Sequence, residues 1–303
     1  LLQAGSGNIQ LSAGNFSISG SMSTPYDNVY VVAKSGADFV SINDAINKIN
    51  SNNDASAANP YLIQVLSGVY DEDITLPDYV SLTGSGWKST TIDGRVTMGD
   101  GTHVENVYIY PTGSETIAVL ADPDGDTSYM TNVYVVINTS VDAPTYAVRH
   151  TGDTDFRIYA SFLYGRNANA GGSAATYVFH SSGATGDLEV KQIHTKSSCP
   201  NNSNCYLALN DSSASGADII FSGSWSVFND TAPLAAVNNN ASGQIKLDIW
   251  YENDSSDYAQ YTTSGNNIMI EPYQTGNLIV QAGTVTTSGL IIYGSINYGL
   301  DLS

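Results

Sequence analysis

Five aspartates stand close enough in sequence to do chemistry together: Asp122, Asp124 and Asp126 in Asp122-Pro123-Asp124-Gly125-Asp126, and Asp153 with Asp155 in Gly152-Asp153-Thr154-Asp155. Two carboxylates at a suitable separation are all that hydrolysis of a glycosidic bond requires, so Asp122, Asp124, Asp153 and Asp155 are candidate catalytic residues. Alternate spacing over Asp122, Asp124 and Asp126 could also place oxygens around Ca²⁺, although the rest of an EF-hand loop is missing. Asp, Pro and Gly in this order also make an ordinary turn, and that is the first reading. Arg149 and His180 form a further pair, one repeat apart, and read as a surface polar contact.

These residues are carried by a repeat. Six apolar runs recur, beginning at Ile117, Tyr146, Tyr177, Tyr206, Leu234 and Tyr258, and a second series starting at Val104, Thr131, Phe156, Leu188, Ile219 and Ile245 is interleaved with them. Self-similarity at this period marks a solenoid, whose units bury their apolar faces only by stacking. Aligning the repeats puts Tyr108, Tyr134 and Tyr159 in one column and Tyr146, Tyr177 and Tyr206 in another. Stacked at the strand spacing, such ladders bind carbohydrate, form a subunit contact or pack within one chain, and Trp225 and Trp250 carry the same alternatives.

The elements that position them are short strands with one helix. Apolar residues at Ile42, Ala45, Ile46 and Ile49 follow helical spacing, with Ser41 as N-cap and Asp44 in the first turn, and predict a helix over 42–50 that caps the open end of the stack. Residues 1–28 alternate apolar and small polar residues and read as a β-rich arm or stalk continuation. Residues 29–303 read as the solenoid. The chain opens Leu1-Leu2-Gln3 without an initiator Met, which suggests excision from something longer.

The chain carries 29 acidic and 10 basic residues, net −19. That field repels phosphate backbones and anionic lipid, so nucleic-acid partners are not expected, and no run approaches the length of a membrane span. Cys199 and Cys205 lie close enough to close a small loop as a disulfide, which would suit an oxidising, extracellular setting.

Val32-Ala33-Lys34-Ser35-Gly36-Ala37-Asp38-Phe39, then Gly68-Val69-Tyr70-Asp71-Glu72, Val80-Ser81-Leu82-Thr83-Gly84 and Thr91-Ile92-Asp93-Gly94 resemble the opening of pectinesterase-type proteins of the pectin-lyase-like superfamily. The same opening resembles β-helical segments of phage tails and tail-spikes. The resemblance implies an all-β fold, a right-handed parallel β-helix. It also implies a Gln-rich segment, two aspartates on neighbouring rungs and an Arg in a Gly-Arg-Pro-Trp-like phrase. The nearest counterparts here are Glu115 with no Gln, Asp153 and Asp155 in a different setting, and Arg166 without Pro-Trp, so no catalytic role is transferred.

The expectation is therefore a non-enzymatic structural or adhesive β-helix of a virion appendage or cell surface, extracellular and homo-oligomeric with a trimer favoured. It would meet a glycan or cell-surface receptor and need no cofactor, calcium apart. The alternative is a polysaccharide-active hydrolase or lyase using surface carboxylates of the β-helix.

Overall fold

The computed structural model describes residues 28–168, 175–198, 205–211 and 217–228, together with the backbone of the strands Leu234–Asn239, Ile245–Asn253, Ala259–Thr263, Ile268–Pro272 and Leu290–Ile292. The arm expected at 1–28 lies outside the described residues but for Asn28.

Every pairing between named strands is parallel, and each coil of the chain contributes to three faces. The first face stacks Asn28–Val32, Tyr61–Val65, Val80–Gly84, His103–Glu105, Ser128–Thr131 and Phe156–Tyr159. The second stacks Gly68–Tyr70, Thr90–Ile92, Tyr108–Ile109, Tyr134–Thr139 and Phe162–Asn167. The third stacks Ile74–Leu76, Val96–Met98, Ile117–Ala121, Thr145–His150, Thr176–Ser181 and Cys205–Asn210, then Leu234–Asn239 and Ala259–Thr263. The long strands Leu188–Ser198 and Ile219–Phe228 run through the corner between the first two faces and join them into one sheet. This is the all-β parallel β-helix that the resemblance implied, built from the solenoid repeat.

Alternation along each strand explains the core. Inward positions such as Ile63, Leu82, Val104, Met130, Ile158 and Val190 follow one another up the first face and are 0 % exposed. Each such side chain contributes roughly 1.5–3 kcal/mol of burial, and the apolar surroundings come from the rungs above and below and from the inward residues of the other faces.

The end cap is a helix over Ile42–Asn52, two residues longer than its apolar spacing required. Asn53 ends it in the left-handed region at φ 53°, its N–H donating to the Ile49 carbonyl. Ile42, Ala45, Ile46 and Ile49 are buried on the first coil, against Asn28–Val32, Tyr61–Val65 and Ile74–Leu76. Glu72 fixes the helix start: its carboxylate accepts from the Ser41 hydroxyl at 2.7 Å and from the N–H groups of Ile42 and Asn43 at 2.8 and 2.9 Å. The Glu of the Gly-Val-Tyr-Asp-Glu phrase is thus an N-terminal cap for orphan helix donors.

One column differs from the alignment of repeats. Asn106, Asn132, Ala160 and Gln192 occupy one position in successive coils with φ of 58°, 52°, 47° and 55° and turn the chain from the first face to the second. Tyr108 and Tyr134 follow this corner, whereas Tyr159 precedes it and pairs with Thr131 and Lys191 on the first face. The second-face column is instead Tyr108, Tyr134, Phe162 and His194. The apolar pattern runs through the corner unbroken and so conceals the change of face.

Candidate active site

The five aspartates lie where the chain turns from the third face to the first, and their oxygens serve the turns. Asp122 accepts from the Thr151 hydroxyl at 2.7 Å, Asp126 from the Tyr79 hydroxyl at 2.8 Å and Asp153 from the Thr185 hydroxyl at 3.0 Å. Asp155 accepts from the Asp187 N–H at 3.1 Å, and Asp187 in turn from the Asp218 N–H at 2.8 Å. Asp124 is exposed, and its own N–H is taken by Asp100. The turns sit directly on one another: a Cβ added at Gly152 would lie 2.3 Å from the Pro123 carbonyl oxygen. Asp, Gly and Pro in these loops thus make stacked turns whose carboxylates satisfy donors of neighbouring coils. Among the described residues, no three His, Cys, Asp or Glu side chains gather into a metal-binding group.

The counterparts suggested by resemblance are also separate. Glu115 pairs with Arg95 at 3.7 Å, Asp155 pairs with Arg157 at 3.0 Å, and Arg166 donates to the Asn138 side chain on the second face at 3.0 Å. Cys199 lies outside the described residues, and Cys205 opens a third-face strand. Trp225 and Trp250 fall in the strands Ile219–Phe228 and Ile245–Asn253, paired with Tyr251 and Ser224, and their side chains are outside the described residues.

Polar groups do converge on the outer surface of the third face. Tyr146, Tyr177 and Tyr206 follow one another in register, with ring centroids 5.4 and 4.8 Å apart and planes within 10° and 17°. Their faces are spent on each other, and the three rings with their hydroxyls are partly buried. Burial raises all three phenols above their ordinary value, which keeps those hydroxyls protonated.

Beside this row, His180 stacks 4.6 Å from the Tyr146 ring, and the Arg149 guanidinium lies 5.6 Å from the same ring centre. Arg149 Nη2 donates to the Ser182 hydroxyl at 3.1 Å. His180 Nε2 approaches Asp211 Oδ1 at 3.0 Å, an ion-pair distance without hydrogen-bond angles. His180 is 3 % exposed, whereas the Asp211 side chain is 38 % exposed. Burial by itself would raise the Asp211 carboxyl, but His180, the Ser182 hydroxyl and the charge of Arg149 outweigh it and hold the group below its ordinary value. The site therefore presents one accessible carboxylate held ionised, two donors beside it and a buried imidazole behind it.

Arg149 and His180 were visible in sequence as a pair one repeat apart. Asp211 was not, because it follows its strand in a polar loop. Rung arithmetic would have found it: the step of 29 from Tyr177 to Tyr206 carries Ser182 to Asp211.

No family model and no curated protein matches the chain. Solved structures do. A pectin methylesterase from carrot matches at 13 % identity over 91 % of each chain with a TM-score of 0.51. A mutant pectin methylesterase in complex with a hexasaccharide matches at 13 % identity over 86 % of this chain and 94 % of its own, TM-score 0.50. Pectin methylesterase PemA from Erwinia chrysanthemi gives 13 % over the same shares and 0.48. The first two neighbours are pectin methylesterases, a finding that overturns the expectation of a non-enzymatic virion or cell-surface element. The chain has their fold, the pectin-lyase-like parallel β-helix.

Proposed function

We propose that the protein is a polysaccharide-active enzyme, a hydrolase or lyase, whose substrate lies on the outer surface of the third face. The observation that carries this reading is the ionised, accessible Asp211 carboxylate beside Arg149 and Ser182. An ionised carboxylate serves as nucleophile or general base, and adjacent guanidinium and hydroxyl donors stabilise negative charge that develops as the bond breaks. His180 acts through Asp211 as a positioning residue, since its buried ring cannot reach a glycan. The hydroxyl edges of Tyr146, Tyr177 and Tyr206 supply hydrogen bonds along the polymer.

This uses the carboxylate chemistry expected of the β-helix surface but moves it from the aspartates of the turns to Asp211. The fold shared with pectin methylesterases supports a carbohydrate substrate; the roles rest on this chain's own residues. The test is a screen of polysaccharides for new reducing ends, unsaturated products or released ester groups, run with the protein and with Asp211→Asn. The expectation is turnover of at least one glycan, reduced about 100-fold or more in Asp211→Asn. Failure to process any glycan, or full activity in the variant, would overturn the proposal.

A further inference from the structure

We infer that the polymer taken by the third-face site is cationic, a polysaccharide of amino sugars whose amines are protonated. The inference rests on the placement of the site at Asp211, Arg149 and Ser182, and names the class of glycan that fits it. Backbone hydrogen bonds between coils fix the column that carries the site. Asp122, Thr151, Ser182 and Asp211 donate their N–H groups to the carbonyls of Met98, Ala121, His150 and Ser181 in the preceding coils, each at 2.9 Å. One step along this column is one strand spacing, so Asp122 stands roughly 14 Å from Asp211 along the solenoid. Asp153 follows Thr151 by two residues and so lies two coils before Asp211.

The charges along this corner have one sign. Every turn from the third face to the first, from the one holding Asp78 to the one between Asp211 and Asp218, carries at least one Asp and no Lys or Arg. Asp122, Asp124, Asp126 and Asp153 are exposed, and among the described residues none of them pairs with a cation. Asp142, also exposed, borders the other side of the face, just before the strand Thr145–His150. Within the named strands of this face Arg149 is the one Lys or Arg. Its guanidinium lies by the Tyr146 ring and donates to the Ser182 hydroxyl, and its charge acts on Asp211. Arg149 and Asp211 thus offset each other, and the unpaired aspartates set the sign of the field.

The site itself points the same way. Two of its buried polar atoms, Asp211 Oδ1 and His180 Nδ1, have no hydrogen-bond partner among the described residues. The carboxylate charge is therefore under-compensated within the chain, and a cation arriving at its exposed side supplies what is missing. At physiological ionic strength the Debye length is about 8 Å, less than two strand spacings, so the nearest carboxylates and not the net charge of the chain decide the field over the site. An ammonium group donates charge-assisted hydrogen bonds to carboxylates, and amines repeated along a glycan meet aspartates repeated along the corner. A uronic-acid polymer would bring its own carboxylates to Asp211 and to this row, a repulsion that Arg149 alone does not offset.

The test is calorimetric titration of the intact chain with a glucosamine hexasaccharide, its fully N-acetylated counterpart and a galacturonate hexasaccharide, at low and at high salt. The glucosamine oligomer should bind and lose affinity with salt, and the other two should not bind. Asp211→Asn should weaken binding about tenfold or more, and Asp122→Asn and Asp153→Asn each about two- to threefold. Glu105→Gln on the first face removes the same unit of charge and should leave binding unchanged. Arg149→Gln should tighten it about twofold, whereas an acidic glycan would lose affinity there. Unaltered thermal melting shows that the variants fold, and the several single substitutions keep the test open if one does not. An equal loss in Glu105→Gln would reduce the effect to attraction between a polycation and an acidic protein and overturn the inference. So would binding of the acetylated or the galacturonate oligomer as tight as that of the glucosamine one. Turnover of a neutral or acidic glycan that disappears in Asp211→Asn would sink this inference and sustain the catalytic reading. Glucosamine binding that depends on Asp211, without turnover of any glycan, would sustain the inference and sink that reading.

Discussion

Asn132 donates its side-chain amide to Asn106 Oδ1 at 2.7 Å, and both residues hold left-handed backbone at the same corner of successive coils. Asn tolerates this conformation because its short polar side chain compensates locally. One rung later the position is Ala160 at φ 47°, exposed and without that compensation. Ala160→Asn, or Ala160→Gly, should therefore raise stability by about 1 kcal/mol, and Asn132→Ala should lower it by a similar amount. Urea unfolding of the three variants checks this; a destabilised Ala160→Gly would mean that the corner is not strained.

The helix cap should be costly to remove. Glu72 accepts three hydrogen bonds at the start of Ile42–Asn52, one from a hydroxyl and two from backbone N–H groups. Glu72→Ala leaves these donors without a partner, and a loss of about 2–3 kcal/mol is expected. Glu72→Gln, which keeps one acceptor oxygen but turns the other toward a donor as an NH2 and loses the charge facing the helix dipole, should lose about 1–2 kcal/mol, less than Glu72→Ala. Amide hydrogen exchange in the helix should accelerate in step with the loss of stability.

How much of this was legible depended on whether a feature repeats along the chain or arises between coils. The six apolar runs from Ile117 to Tyr258 mark the third-face strands because inward positions must match from rung to rung. The capping helix was readable from Ile42, Ala45, Ile46 and Ile49 because a single face meets the core. The corner was hidden because left-handed backbone leaves no trace in hydrophobicity, and Ala160 and Gln192 are not the residues that usually announce it. Asp211 was hidden because its neighbours His180, Ser182 and Arg149 come from two other coils, so no local spacing links them.

Acid should expose the buried imidazole inside the solenoid. His150 is 0 % exposed, its Nε2 lies 3.0 Å from the Thr154 carbonyl oxygen, and its Nδ1 has no hydrogen-bond partner among the described residues. Burial lowers its pKa from 6.5 to about 4. The folded state thus favours the neutral ring: this contribution is fully present above the unfolded value of 6.5 and is lost progressively as pH falls to about 4. The full loss is about 3 kcal/mol. His150→Gln should flatten the difference in stability across that window relative to the unsubstituted chain, and parallel stability curves would show that His150 is not the group responsible.

The tyrosine row separates stacking from hydrogen bonding. Tyr177 lies between Tyr146 and Tyr206, so Tyr177→Leu breaks two ring contacts at 5.4 and 4.8 Å, whereas Tyr177→Phe keeps both and removes only the hydroxyl. Each contact is worth about 0.5–1.5 kcal/mol beyond buried area, so Tyr177→Leu should lose about 1–3 kcal/mol and Tyr177→Phe less than about 0.5. If the row binds glycan through its hydroxyls, Tyr177→Phe should nevertheless raise KM several-fold with kcat nearly unchanged, the pattern expected when ground-state and transition-state binding are lost equally. An unchanged KM in Tyr177→Phe would confine the row to holding the third face together and leave substrate binding to Arg149 and Ser182.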